Sequence, residues 1–375
     1  MEVAIIGGGI VGSTAAYYLS RAGYAVTLFD EGGGQATKAA AGIICPWFTQ
    51  RRNKPWYFLV SQGAEFYRQL MADLEADGFE TDHLFQVTGA LLLRNRAKKL
   101  ERDLQMAQEK VVESPSIGEV LTVAPEDLQA YFPLLESEFG ATYVAGGGRA
   151  DGAAIIQSLH QAMSRFGGRI VKEKARLVRG DNQTVWVGSR RFEVKGFDKI
   201  LLSNGAWLPE ILEPLGYSVA IQPQKGQLFS VYNRAWEGNQ WPVVMPDAAI
   251  DIIPTASGQL IIGASHEDDQ GYDLTLDEGV LAELKEEAAT FLPWIKASAI
   301  ATTRVGTRAF TPDYGVLVGQ VPELTNVWAI SGLGSSGLTS GPFLGYEWSQ
   351  LVMSGKWQIN PNDFPINAYI TPNNL

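Results

Sequence analysis

Near the start of the chain, Gly7-Gly8-Gly9-Ile10-Val11-Gly12 follows the apolar run Val3-Ala4-Ile5-Ile6, and Asp30 closes a second apolar run, Val26-Thr27-Leu28-Phe29. This order of strand, glycine turn, helix, strand and acid is the pattern of a dinucleotide-binding βαβ unit. Gly7 permits the tight turn, Gly9 lets the backbone approach a pyrophosphate, and Gly12 lets the helix lie close on the strand. The helix, expected from Ile10 to Ala22 with Gly23 as its stop, would turn its free N–H groups and positive dipole end to the phosphates. Asp30 can accept the hydroxyls of the adenosine ribose. A bare glycine motif is weak, but one with an acid about twenty residues further on is specific.

A second glycine-rich turn stands at the opposite end of the chain: Ser331-Gly332-Leu333-Gly334-Ser335-Ser336-Gly337-Leu338-Thr339. It lies between an expected strand, Val327 to Ser331, and an expected helix from about Ser336 to Met353. A helix N-terminus can hold phosphate, and can equally stabilise negative charge developing on a flavin that accepts a hydride. Two such turns suit a long cofactor gripped at two places. FAD needs this, whereas one complete doubly wound domain satisfies a nicotinamide dinucleotide. A surface glycine loop is the competing reading of the second turn.

Composition bounds the elements that must position these turns. A chain of 375 residues, 46% of them hydrophobic, can bury a large core and is expected to form two domains. A net charge of −11 argues against nucleic acid and against adsorption to an anionic membrane. No apolar run is long enough to span a bilayer, and the first strand leaves no room for a signal peptide, so a cytoplasmic location is expected. A single cysteine, Cys45, and three scattered histidines, His83, His160 and His266, give no expectation of a metal site.

Along the chain the period of the apolar residues changes. A strand (Gly89 to Leu93) and a charged amphipathic helix (Ala97 to Val111) interrupt the nucleotide pattern. It resumes with a helix from Asp151 to Phe166, strands at Arg169 to Arg179 and Thr184 to Val194, and a buried strand at Lys199 to Leu202. Strands then dominate (Gln227 to Tyr232, Ile250 to Ile253, Leu260 to Gly263), followed by a helix near Leu276 to Phe291. The expected fold is α/β: a Rossmann-like FAD-binding domain of three segments, 1–80, 140–220 and 302–375. Into it is inserted an α+β substrate domain, 81–139 and 221–301, on a mixed, largely antiparallel sheet.

The chain resembles the D-amino-acid oxidase-like family of FAD enzymes, close in pattern to glycine oxidases and to the small-subunit type of D-amino-acid dehydrogenase. The likeness covers almost the whole length and rests on residues in a shared order. Beyond the two turns these are Ala39-Ala40-Ala41-Gly42-Ile43, Gly147-Gly148-Arg149-Ala150-Asp151, Ser203-Asn204-Gly205-Ala206-Trp207, Lys225-Gly226-Gln227, Ile253-Pro254 with Ile262-Gly263-Ala264, and Arg308-Ala309-Phe310-Thr311-Pro312-Asp313. The glutathione-reductase-like form of the nucleotide domain is part of what it implies.

The resemblance implies that Ile10 and Val11 lie against the pyrophosphate and that Asp30 and Glu31 lie at the adenosine ribose. It implies that Ala36, Thr37, Lys38, Ala41, Gly42 and Ile43 wrap the phosphates and the flavin edge, and that Ala175 meets the adenine. Ser203, Asn204, Gly205 and Trp207 would also belong to the cofactor site, and Leu333 to Thr339 would face the ring. Arg308 would hold the carboxylate of an amino acid as a two-pronged, charge-assisted pair; an ion pair with Asp313 is the competing reading. The implied reaction is hydride transfer from Cα of an amino acid or small amine to flavin N5, giving an imine that hydrolyses. Oxygen, a quinone or another redox protein would take the electrons. A homo-oligomer is compatible with this picture.

The departures concern specificity. Asp251 stands where glycine oxidases place a tyrosine; its carboxylate could attract a cationic group of the substrate or neutralise Arg308 in the empty site. Leu333 replaces a histidine and Ser335 an arginine seen in some members. The position of the oxygen-activating lysine of sarcosine oxidases is Ile261, and no cysteine matches their flavin tether, so FAD is expected to be non-covalent. Cys45 reads as a buried small hydrophobe, His266 as an exposed loop residue, and Trp47, Phe48 and Tyr272 as either pocket walls or core. Two alternatives stay open: an NAD(P)-dependent dehydrogenase, which would be colourless, and a flavoprotein redox subunit without amine chemistry, whose flavin no amino acid would bleach.

Overall fold

The computed structural model describes residues 1–136 and 138–373, so residue 137 and the last two residues of the expected C-terminal segment lie outside the described residues. Val3, Ala4 and Ile5 are wholly buried, as an apolar run with partners on both sides must be. Their strand, Glu2–Ile6, lies parallel between Ala25–Phe29 and Lys199–Leu202, with Val3 beside both Val26 and Lys199. Lys199–Leu202 in turn pairs in parallel with Val327–Ser331, and Ala25–Phe29 with Arg169–Val171. The antiparallel edge strand Leu317–Gln320 completes a six-stranded sheet drawn from the start, middle and end of the chain.

The expected strand from Arg169 to Arg179 is divided. Arg169–Val171 continues the large sheet, while Arg176–Arg179 joins Val185–Gly188 and Lys195–Gly196 in a separate antiparallel ribbon. Glu173, in the charged break between the two pieces, accepts from the Ser189 hydroxyl and, at 2.9 Å, from the Arg191 amide.

The second large sheet has eight strands in the order Thr302–Phe310, Gln222–Glu237, Ser257–Gly263, Asp251–Pro254, Val243–Met245, Ala90–Arg94, Gly140–Val144, Val120–Val123. All neighbours are antiparallel except Val243–Met245 with Ala90–Arg94. Gln222–Glu237 runs 16 residues, well beyond the expected Gln227 to Tyr232, because its polar start pairs with Thr302–Phe310 and its far end, after an irregularity between Tyr232 and Glu237, rejoins Ser257–Gly263. Gly140–Val144 and Thr302–Phe310, which adjoin the boundaries expected at 139/140 and 301/302, belong to this sheet. We propose that the chain returns to the nucleotide domain after them.

Helix packing locks the two ends of the chain together. Helix Ile10–Arg21 crosses helix Gly337–Ser354 so closely that a β-carbon on Gly341 would strike Ile10, and one on Gly345 would strike the Val11 carbonyl oxygen. Helix Lys54–Ala76 covers the second of these from the other side, with Gly63 against the backbone of Thr339 and Ser340, and Tyr67 Oη donating to the Leu338 carbonyl at 2.7 Å. In an open helix interior, Gly→Ala stabilises by roughly 0.5–1 kcal/mol. Gly345→Ala is expected to do the reverse, destabilising by about 1–3 kcal/mol in urea unfolding, because the backbone it meets cannot yield. Stabilisation would contradict this packing.

Candidate active site

Between the two sheets lies a cleft, open at its mouth, that both glycine turns line. At the first turn Gly7 has φ +104° and its carbonyl accepts from Ser203 Oγ at 2.9 Å, which ties the turn to the end of the neighbouring strand. A β-carbon on Gly12 would strike the Gly7 carbonyl, Ser203 and Ile5, so this glycine is there for close packing. Gly9 differs: a β-carbon there would point into the cleft, with Thr37 Oγ1 at 3.6 Å its nearest neighbour. The Ile10 amide donates to Thr37 Oγ1 at 3.2 Å. Asp30, at the end of its strand, accepts from the Gly32 amide at 2.8 Å and from the Gln35 side chain.

The cleft holds buried polar atoms that the protein does not satisfy. Both side-chain atoms of Asn204, the Thr307 hydroxyl and Gln35 Oε1 have no hydrogen-bond partner among the described residues. Such atoms are costly unless a ligand meets them. Together with the open face of Gly9, they fit a dinucleotide with polar ribose and ring edges.

At the second turn, Gly334 has φ +53° and backs onto the Phe310 ring. Leu333, Gly334, Ser335, Gly337 and Leu338 line the cleft opposite the segment from Ala39 to Ile43. Gly42 is held by its carbonyl, which accepts from the Ala150 amide at 2.7 Å. Of the residues proposed from sequence for the cofactor, Gly12, Lys38, Ser336 and Thr339 do not line the cleft. Lys38 is exposed. Ser336 accepts from Trp56 Nε1 at 3.3 Å and Thr339 packs on Gly63, so both support the turn from behind. Ala175, Ser203, Gly205 and Trp207 do line it.

At the far end of the cleft are Arg308, Asp251 and His266. Arg308 lies across Gly226 and donates through Nη1 to the Ser265 carbonyl at 2.8 Å and to Gln224 Oε1 at 3.2 Å. It forms no ion pair among the described residues. Asp313 is engaged elsewhere, by Tyr369 Oη at 3.0 Å and Thr311 Oγ1 at 3.0 Å. Burial lowers the Arg308 pKa, partly offset by Glu267. Burial also pushes the Asp251 carboxyl up to about 7. His266 is exposed, and its pKa is lowered by partial desolvation and by Arg308.

Two of the aromatic candidates are core, and the third, Tyr272, is exposed and does not line the cleft. Trp47 and Phe48 are buried away from the cleft, and Tyr272 packs on Trp207 with ring centres 5.4 Å apart and donates to the Ala206 carbonyl at 2.8 Å. Cys45 is buried in the same core, its thiol pushed up to about 12 by burial, and Ile261 is 3% exposed. Sequence reasoning missed Gln35, Gln224, Ser265 and Thr307. Their places come from pairing across the chain, as in the bridge between Gln35 and Thr307, and no local pattern marks them.

Comparison with known proteins bears on this arrangement. The model of the FAD dependent oxidoreductase family matches residues 2–351. The chain belongs to the FAD-dependent oxidoreductase family. It is 36% identical over 360 residues, 95% of this chain and 96% of the other, to an uncharacterized oxidoreductase, YurR, of Bacillus subtilis. It is 27% identical over 348 residues to glycine oxidase of Pseudomonas aeruginosa, covering 91% of this chain and 92% of that one. The crystal structure of iminodiacetate oxidase from Chelativorans sp. BNC1 superposes with a TM-score of 0.91 at 29% identity, covering 96% of this chain and 97% of that one. FAD is the cofactor, and FAD-dependent oxidation of an amino acid or amine is the reaction class. The expected α/β fold, a Rossmann-like FAD domain with a substrate domain, is the one observed. No helix among the described residues is long and apolar enough to cross a membrane.

Gly9→Ala tests the cradle. Its φ is −71°, so alanine fits without backbone strain, and the melting point of the FAD-free protein should stay unchanged. Affinity for FAD should fall by roughly tenfold or more, equivalent to about 1.4 kcal/mol, as read by flavin fluorescence titration. Equal affinity would remove Gly9 from the pyrophosphate site.

Proposed function

We propose that this chain oxidises the C–N bond of an amino acid, primary or N-substituted, whose carboxylate is held by Arg308. The observation that carries the reading is a half-buried guanidinium that lines the cleft with two neutral acceptors and, among the described residues, no carboxylate bonded to it. A buried cation lacking an anion is costly, and an incoming carboxylate relieves that cost through a charge-assisted pair. Gln224 and Ser265 hold the guanidinium in one orientation, so the ligand's orientation follows from it. The names of the related glycine oxidase and iminodiacetate oxidase support a small amino acid or imino acid as substrate.

The cofactor is held at one end by the Gly7 to Ile10 turn and Asp30, and at the other by the segment Ala39 to Ile43 and the turn Leu333 to Leu338. When bound, FAD supplies the acceptor for the hydride from Cα. The N-terminus of helix Gly337–Ser354 turns its positive end to the cleft, where it favours developing negative charge. Non-covalent attachment is favoured because Cys45, the chain's one cysteine, lies outside the cleft and stays protonated. Peroxide yield in air, compared with turnover on an artificial acceptor, separates oxygen from a quinone or redox protein as electron acceptor.

The test is anaerobic mixing of the native holoprotein with glycine, sarcosine, iminodiacetate, and D- and L-amino acids. Loss of flavin absorbance with at least one is expected, and no loss with any would contradict the reading. Arg308→Ala should keep the colour and raise the substrate concentration for half-maximal reduction on the order of 100-fold. An unchanged concentration would remove Arg308 from its role.

A further inference from the structure

Asp251 is a carboxylate on the wall of the cleft that the fold leaves without a hydrogen bond or ion pair among the described residues. It opens strand Asp251–Pro254, where register places it beside Gly263, and Gly263 beside Leu228. Gly226, two residues before Leu228, shares that face of the sheet, and a β-carbon there would lie 2.7 Å from the Arg308 guanidinium. Asp251 and Arg308 therefore stand on one face, the one turned to the nucleotide domain. Two strand spacings across and two residues along, roughly 12 Å in all, separate the backbone at Asp251 from the backbone beneath the guanidinium. The side chains close part of that gap, and what remains suits one small zwitterion with a hydrogen bond at each end. Arg308 is bound to Gln224 and Ser265 instead of Asp251, so the carboxylate does not serve to neutralise it.

Resting on the function proposed above, we propose that Asp251 receives the amino group of the substrate held by Arg308 and takes the proton of its ammonium. In that step an N–H bond of the ammonium breaks, its electron pair stays on nitrogen, and an O–H bond forms on Asp251. No electrons are gained or lost. The amine is left neutral, the form whose free pair assists departure of the Cα hydride. A net-neutral zwitterion thus leaves both charged walls of the cleft satisfied, and the substrate class is an amino acid with a primary or secondary amine. An amine lacking a carboxylate would be a poor ligand.

The surroundings agree with this role. Burial has pushed the Asp251 carboxyl up to about 7, which narrows the gap to an ammonium. The Cys45 thiol, buried outside the cleft, is close enough to feel both Asp251 and Lys110 and remains protonated, and Arg308 and His266 are the charged or titratable groups that line the cleft with Asp251. Asp251 is ionised above about 7, so it can accept the proton there and loses that capacity as pH falls through 7.

The experiment is calorimetric titration of the FAD-loaded protein with 2-aminoisobutyrate, which has no Cα hydrogen, and with isobutyrate, which lacks the amino group. At pH 8 the wild type is expected to bind the amino acid at least about tenfold more tightly. Asp251→Asn should remove that preference without changing isobutyrate affinity, and Asp251→Glu should restore part of it. In the wild type the preference should shrink as pH falls through about 7. Arg308→Ala should weaken both ligands. If the wild type binds both equally, or Asp251→Asn retains the preference, while Arg308→Ala still weakens both, the role of Asp251 is overturned and the carboxylate site stands. If neither ligand binds the wild type, both fall.

Discussion

The whole arrangement depends on one constraint: the two ends of the chain must meet. Strand Glu2–Ile6 accepts Lys199–Leu202 beside it, and that strand accepts Val327–Ser331. The glycine turns that follow the first and last of these strands therefore open on the same edge of one sheet. Helices Ile10–Arg21 and Gly337–Ser354, which leave those turns, are pressed together at Gly341 and Gly345. Parallel strands far apart in sequence are slow to pair, and glycine in a helix costs stability. The fold accepts both costs because a long dinucleotide needs two helix N-termini at a fixed separation.

The second sheet supplies what the first cannot. Its cleft-facing side carries Arg308 and Asp251, while glycines at 226 and 306 let the Arg308 guanidinium and Ala39 lie close on the strands. Arg149 fastens the two parts: its guanidinium donates to the Pro254 carbonyl at 2.5 Å and to the Asn239 carbonyl at 2.8 Å, joining the strand next to Gly42 to the strand that begins with Asp251. The strand that carries Asp251 is thereby tied to the segment proposed to wrap the flavin. A shift between sheets would change the distance from substrate to ring, on which the reaction rate depends steeply.

Much of this was legible in the sequence, for local reasons. Glycines at 7, 9 and 12 act through their own backbone, so spacing alone announced the first turn, and helix Ile10–Arg21 ends one residue before the expected Ala22. The second turn was equally plain. What was hidden depends on partners far along the chain. Lys38 belongs to the right segment, but its place on the short helix Ala36–Ala39 turns it to solvent. Gln35 and Thr307 meet only because a loop of one sheet bridges a strand of the other. Tyr272 looked as suited to a substrate wall as to the core, and it is neither, since it packs on Trp207 with its own ring exposed. Arg308 and Asp251 were indicated by family resemblance, since neither periodicity nor spacing distinguishes them from other charged residues near strand ends.

The central claim is that FAD sits non-covalently between the two glycine turns. The direct measurement is acid denaturation of the native protein, removal of the precipitate, and identification of the flavin left in solution. About one FAD per chain in the supernatant is the predicted result. Colourless protein from cells replete in riboflavin, or flavin that stays with the precipitate, would contradict it.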